Sequence, residues 1–259
     1  MPSSPSEYLL VRVVKALLVV LCGVSFGKSL TPPNGDPVPS SRPPVGKGLP
    51  ALREWFLVNL IARAYPIERM IYYIATVNEA LFVLRAAIPA IAKLFPHLNF
   101  PGHTTTTRFT PQFVSAVLLS ILGGIFRVAC YRALGREFTY ECVPVGQRAD
   151  NPEIRKNPKL VTHGPYSIVR HPSYVACCMS VIGSALVHLT KGSWIIESGF
   201  SNTLMGKILL GSWIGTFGVT LIILILRVGP EDEVVRTQFG EQWKEWSKTV
   251  KYKLIPWVY

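Results

Sequence analysis

Charge is scarce in this chain of 259 residues, and negative charge is scarcest: Asp, Glu, Lys and Arg make up 16%, with 15 acidic residues against 27 basic ones. Soluble domains carry about 25%. So little charge, together with 49% hydrophobic residues and a mean hydropathy of +0.32, excludes an ordinary water-soluble domain and points to a membrane protein. The formal net charge of +12 does not bring back a nucleic-acid partner. Its basic residues are scattered between apolar runs instead of gathered on one face, and positively charged membrane loops account for them. Cysteine is sparse too. Cys22, Cys130, Cys142, Cys177 and Cys178 are odd in number and show neither a metal-ligand spacing nor a disulfide framework, so free thiols and no metal site are expected. Cys177 and Cys178 fall in an apolar run, where they read as small packing residues. No internal repeat of about 20 to 50 residues is visible, which excludes solenoid and propeller architectures.

What the chain does have is apolar runs near the length of about 20 residues that a bilayer core requires. Tyr8 to Gly27 is the first, interrupted by Arg12 and Lys15; it reads as a retained span or as a signal sequence with a basic start. Thr31 to Pro50 then holds seven prolines and three glycines, a linker that cannot pack as helix or sheet. Ala51 to Tyr65, with Arg53, Glu54 and Arg63 at its ends, reads as an interfacial helix or a short extra span. Ile67 to Phe95 is long enough to cross. Its Asn78, Glu79 and Arg85 should face a bundle interior or a cavity; Asn78 and Arg85 share one helix face, either as an internal polar pairing that holds helices together or as a direct substrate contact.

Gln112 to Leu134 is the next span, with Ser120 and Gly124 at a small-xxx-small spacing for close helix approach. Ser173 to Leu189 and Leu204 to Leu226 come after it. Ala176, Ser180 and Ser184 make a stripe of small residues, and Gly211 with Gly215 offers a matching groove, so these last two spans are expected to pack on each other as a hairpin. The segment from Arg132 to Arg170 carries seven Lys and Arg against four Asp and Glu, which places it on the cytoplasmic side. The charge-poor hairpin loop belongs on the opposite side. The tail from Glu231 to Tyr259 reads as an amphipathic helix at the lipid surface, anchored by Trp243 and Trp246.

Two stretches carry chemistry. The first runs from Leu160 to Tyr174. Pro165 and Pro172 bias the residues before them away from helix, so it should be a folded loop that ends by starting a helix near Pro172. It contains Gly164-x-Tyr166 and Arg170-His171-Pro172-Ser173-Tyr174. The second is Arg227-Val228-Gly229-Pro230-Glu231-Asp232, continued by Val235, Phe239-Gly240, Trp243 and Trp246. On residues alone, Arg227 is either a fixed fork for a carboxylate or a snorkelling cation at a helix end. Glu231 and Asp232 are either hydrogen-bond acceptors or a solvated helix start after Pro230.

Together, in this order and separated by a helical hairpin, the two stretches resemble the isoprenylcysteine carboxyl methyltransferase family over roughly residues 130 to 259, with Leu134-Gly135, Phe138 and Thr139 similar to its lead-in. The resemblance implies an all-α integral membrane protein of about five transmembrane helices, its cytoplasmic cofactor site built from a loop and the C-terminal segment. It implies S-adenosylmethionine as cofactor, contacted by Pro158, Lys159, Leu160, Val161, Tyr166, His171, Pro172, Ser173, Tyr174 and Glu231. Arg227 and Arg170 would bind the substrate, and Arg227 and Glu231 would be the catalytic pair. The partners implied are prenylated protein C-termini or prenylcysteine molecules, together with membrane lipid, in the endoplasmic reticulum membrane. The division expected is 1–30 for an N-terminal transmembrane helix or signal anchor, 31–50 for the linker, 51–130 for N-terminal membrane helices and 131–259 for the catalytic core. The chain departs from the family pattern at Pro158, where a histidine often sits, at Ala176 in place of a glycine, and in its tail tryptophans in place of tyrosines.

Three other readings stay open, one of them a non-catalytic membrane adaptor that keeps a decayed methyltransferase core. A phospholipid amine is an alternative methyl acceptor. The Arg-His-Pro-x-Tyr motif with Tyr252-x-Leu254-Ile255-Pro256 also resembles the NADPH-dependent sterol reductases.

Overall fold

The computed structural model describes residues 5–33, 48–98, 109–138 and 158–258. The helices are α1 (Pro5–Leu30), α2 (Leu49–Leu84), α3 (Pro89–Leu94), α4 (Pro111–Leu134), α5 (Pro172–Leu189), α6 (Trp194–Glu197), α7 (Leu204–Phe239) and α8 (Glu241–Thr249), joined by short 3-10 turns, and no strand occurs among the described residues. The protein is an all-α integral membrane protein. Among the described residues, four helices are long and apolar enough to cross a bilayer, over Glu7–Leu30, Pro111–Glu137, Pro172–Leu189 and Leu204–Phe239. Helix starts obey the proline signals: Pro111 opens α4 and Pro172 opens α5. At α4 the Thr110 hydroxyl accepts the Phe113 N–H at 3.1 Å, a side-chain cap for an end that has no helical acceptor.

The largest difference from expectation is α2. An interfacial helix or short extra span, followed by a separate span, was expected; the chain instead forms one helix of 36 residues through Pro66, ending at Leu84 and not Phe95. Pro89, at the start of α3, biases Ile88 to an extended conformation and stops the run. The charged side chains of α2, among them Glu68, Arg69 and Glu79 in its second half, keep it out of the group of apolar spanning helices. Helix α7 likewise continues to Phe239, past the expected end at Leu226, with Pro230 inside it. Proline at that position cannot donate to the carbonyl four residues earlier. The Leu226 carbonyl instead accepts Arg53 Nη1 at 3.3 Å, which offsets the loss.

By packing, the chain falls into two compact units. One comprises Met1–Gly27, Glu68–Gly124 and Met179–Gly215; the other comprises Lys28–Ile67, Ile125–Cys178 and Thr216–Tyr259. In the first unit the core cluster is Val19, Cys22, Phe113, Ala116, Val117 and Val187. The small-residue stripe of α5 does not receive α7. It packs on α4: a Cβ at Gly183 would overlap the backbone of Ser120, one at Gly123 would overlap the backbone of Ser180, and Ser120 Oγ lies 2.8 Å from Ser184 Oγ. A hydroxyl pair between membrane helices contributes only about 0.6 kcal/mol on average, so close backbone contact is the larger effect. Gly124 meets Ser25 of α1 in the same way, the small-residue approach that its spacing predicts. A Cβ added at Gly211 or Gly215 would meet nothing from another element within 4 Å, and the expected hairpin groove is not filled.

Asn78 and Arg85 do not pair with each other. Arg85 Nε donates to the Leu98 carbonyl at 2.5 Å, and Asn78 Oδ1 lies 3.2 Å from His97 Nε2, because the chain after Leu84 folds back and supplies both partners. The four described cysteines are free thiols; Cys142 lies outside the described residues, as does Thr139 of the lead-in.

Candidate active site

The site belongs to the second unit. Ahead of α5, Gly164 adopts φ +61°, a left-handed conformation cheap only for glycine, and opens a short 3-10 turn through Ser167. The C-terminal tail pins the residues just before Pro172: Arg170 N–H donates to the Tyr252 carbonyl at 3.0 Å and His171 N–H to the Lys253 carbonyl at 2.8 Å. Tyr252 and Lys253 thus fix the backbone from which the Arg170 and His171 side chains project. Val250, near them in the tail, is buried.

Those side chains meet the second motif on α7. Arg170 Nη1 lies 3.0 Å from Asp232 Oδ2, and His171 Nε2 donates to Asp232 Oδ1 at 3.0 Å. His171 Nδ1 is 3.6 Å from Glu231 Oε1, and the Tyr174 hydroxyl donates to Glu231 Oε2. Burial alone would lower the His171 pKa, but the hydrogen bonds and negative charges of Asp232 and Glu231 outweigh it and push the imidazole up to about 9. His171 is therefore a cation at neutral pH. Burial also pushes the Tyr166 phenol well above its usual value, so it remains neutral.

Arg227 is 5% exposed and already occupied: Nε donates to Glu231 Oε2 at 3.1 Å and Nη1 lies 3.2 Å from Glu54 Oε2 of α2. It is neither a snorkelling cation nor a fork turned only to a ligand, and Glu231 sits mid-helix instead of at a solvated helix start. After α7 the chain turns at Gly240, with φ +53°, into α8. That turn brings the tail tryptophans inward, where lipid-surface anchoring was expected. Trp246 Nε1 donates to the Tyr166 carbonyl at 3.1 Å, and the Arg170 guanidinium lies 5.7 Å from the Trp243 ring centroid. Trp243 and Trp246, three apart, share the inner face of α8.

These groups surround a cavity of about 180 Å3. Of the residues expected at the site, Lys159, Leu160, Val161, Tyr166, Arg170, His171, Ser173, Tyr174, Arg227 and Glu231 line it. Pro158 and Pro172 do not; Pro172 is buried as the first residue of α5. Asp232, Trp243 and Trp246 line it as well. Sequence reasoning missed Arg127, Tyr131 and Tyr65 in the wall, and Glu54 beneath Arg227. Arg127 donates from Nη1 to the Ser173 carbonyl at 2.7 Å and from Nε to the Tyr131 hydroxyl at 3.0 Å. A signal for it existed, since an arginine inside an apolar span faces a polar interior by default. Glu54 carried no such signal.

S-adenosylmethionine presents adenine, ribose and carboxylate acceptors beside a cationic sulfonium and ammonium. The wall residues fit such a group: Arg170 Nε and Trp243 Nε1 are buried donors with no hydrogen-bond partner, and Glu231 and Asp232 are adjacent carboxylates.

The model of the phospholipid methyltransferase family matches residues 111–210. Among individual proteins, the chain is 24% identical over 182 residues to the protein-S-isoprenylcysteine O-methyltransferase of Schizosaccharomyces pombe, covering 69% of this chain and 64% of that one. It is also 28% identical over 107 residues to the delta(14)-sterol reductase of the same yeast, covering 41% of this chain and 21% of the reductase. The matches span less than two thirds of either relative. No solved structure matches the chain. The resemblance carried by the two motifs is borne out by the family match and the methyltransferase relative.

Proposed function

We propose that the chain is an S-adenosylmethionine-dependent O-methyltransferase that esterifies the C-terminal carboxylate of a prenylated cysteine at the cytoplasmic face of the endoplasmic reticulum membrane. The observation that carries this is the convergence of Arg170, His171 and Tyr174 with Arg227, Glu231 and Asp232 on one cavity. Charge favours an anionic acceptor over a phospholipid amine. Arg127, Lys159, Arg170, Arg227 and cationic His171 outnumber Glu137, Glu231 and Asp232 in the wall.

The acceptor, an α-carboxylate with a reference pKa of about 3.3 to 3.7, is ionised at neutral pH, so no side chain has to remove a proton. Bound S-adenosylmethionine would supply a methyl group on sulfur, which leaves as the neutral thioether while the carboxylate oxygen forms the new bond. What this chain supplies is alignment and exclusion of water, which contribute about 7 to 11 kcal/mol in well-oriented reactions. Arg170 and Arg227 attract and orient the carboxylate. Glu231 and Asp232, held by His171 and Tyr174, offset the cationic charge of the donor. Trp243 and Tyr166 close the cavity wall.

The similarity to the sterol reductase supports a second reading, NADPH-dependent reduction of a sterol, over the shorter match. One assay separates the readings. Membranes containing the chain receive labelled S-adenosylmethionine with N-acetyl-S-farnesylcysteine or phosphatidylethanolamine, and a parallel sample receives NADPH with a sterol. Base-labile methyl ester on the farnesylcysteine is the expected product. Label on the phospholipid alone, or NADPH consumption alone, would overturn the proposal.

A further inference from the structure

The first unit holds a second cavity, also about 180 Å3, that the methyl-transfer reading does not use. Its wall contains no Asp, Glu, Lys or Arg. Two polar side chains in it are left over. His188, near the end of α5, is only 5% exposed, yet neither ring nitrogen has a hydrogen-bond partner; its ring meets Tyr72 edge-on, at 5.1 Å. Trp194, opening α6, has a buried indole N–H with no acceptor. Of the other polar wall groups, Asn78 is engaged with His97 through its side-chain oxygen, the Tyr72 hydroxyl donates to the Ser184 carbonyl at 3.4 Å, and the Trp213 indole stacks on Tyr72 with ring centroids 6.5 Å apart. Two buried polar groups left unpaired in an apolar cavity cost about 1 to 3 kcal/mol each unless a ligand meets them.

We propose that this cavity binds a neutral membrane lipid through a single hydroxyl group. A neutral imidazole offers one donor and one acceptor, and an indole offers a donor only. A hydroxyl satisfies both side chains at once: its oxygen accepts the Trp194 N–H and its hydrogen is donated to His188. A carboxylate would find no cation in the wall and could not donate, and an ammonium would find no carboxylate there; either charge is costly in an apolar wall that offers no counter-charge. The size fits the hydroxyl-bearing end of the lipid, since an apolar cavity of about 150 Å3 accommodates a benzene ring. The rest of the lipid leaves past Ile74 and Ile214, which line the cavity and are 58% and 56% exposed.

The test uses the full-length protein in phosphatidylcholine nanodiscs with a long-chain primary alcohol carrying a photoreactive diazirine near the hydroxyl end. Labelling should map to peptides within residues 185–214 and at Ile71–Asn78. Unlabelled 1-hexadecanol should compete, whereas hexadecane and palmitate at the same concentration should not. Trp194→Phe removes only the indole donor and should weaken alcohol competition about five-fold, the effect of one hydrogen bond. His188→Phe should weaken it at least as much while methyl transfer in the same nanodiscs is unchanged. Equal competition by hexadecane, labelling that no alcohol displaces because the cavity holds only water, or competition unchanged in Trp194→Phe would each overturn the proposal. The competition series on the unmodified protein decides the matter even where a variant fails to fold.

Discussion

The two cavities have the same volume, about 180 Å3, and opposite construction. In the second unit, charged groups neutralise one another: Arg227 joins Glu54 to Glu231, and Asp232 joins His171 to Arg170. In the first, the wall is apolar and two polar groups are left over. The two constructions fail in different ways. A network of buried charges is costly to break at one member, because the partners stay buried and lose their counter-charge. An apolar helix interface is instead sensitive to volume, since its stabilisation comes from close contact.

The sharpest way to test that contrast is to remove one charge. Arg227→Met should leave Glu54 and Glu231 without their shared cation and destabilise the protein by about 3 to 5 kcal/mol, read as a lowered unfolding midpoint in detergent. The double variant Arg227→Met with Glu54→Gln should recover part of the loss. Next in size, Gly123→Val in the first unit forces a side chain into the backbone of Ser180 and should cost about 3 kcal/mol with the charge network untouched.

The third effect is pH-dependent. The His171 pKa is raised, so its ion pairs contribute fully below the ordinary value of about 6.5 and are lost as pH rises through about 9. Stability should therefore fall by about 3 kcal/mol between those limits, and His171→Gln should flatten the profile. The smallest effect contrasts two glycines. Gly215→Ala meets nothing within 4 Å and should be neutral or stabilising by up to about 1 kcal/mol through helix propensity, whereas the same change at Gly123 should destabilise. Equal responses would remove the distinction between open and filled grooves.

The legible parts of the sequence were those carried by local pattern. Apolar runs marked α1 to within three residues at each end and α4, α5 and the start of α7 nearly to the residue, and Pro172 marked the start of α5. The motif residues of the loop and of α7 could be named in advance because they recur as a spaced set. What depended on tertiary partners was not legible. The helix through Pro230 persists because Arg53 takes the Leu226 carbonyl, and nothing near Pro230 announces that. The small stripe on α5 was visible, but the choice of α4 over α7 as its partner rests on complementary small residues at Ser120 and Gly123. Glu54 was one of several charges on α2, and only packing selects it as the counter-ion of Arg227.

Occupation of the charged cavity by a cofactor is measured by calorimetric titration of S-adenosylmethionine into the purified protein and into Glu231→Gln. Saturable one-site binding by the unmodified chain is the expected result. In the variant, loss of one charge-assisted hydrogen bond, about 1.5 to 3 kcal/mol, should weaken binding roughly ten- to 150-fold. Absence of saturable binding to the folded wild-type protein, or equal affinity in the folded variant, would contradict it.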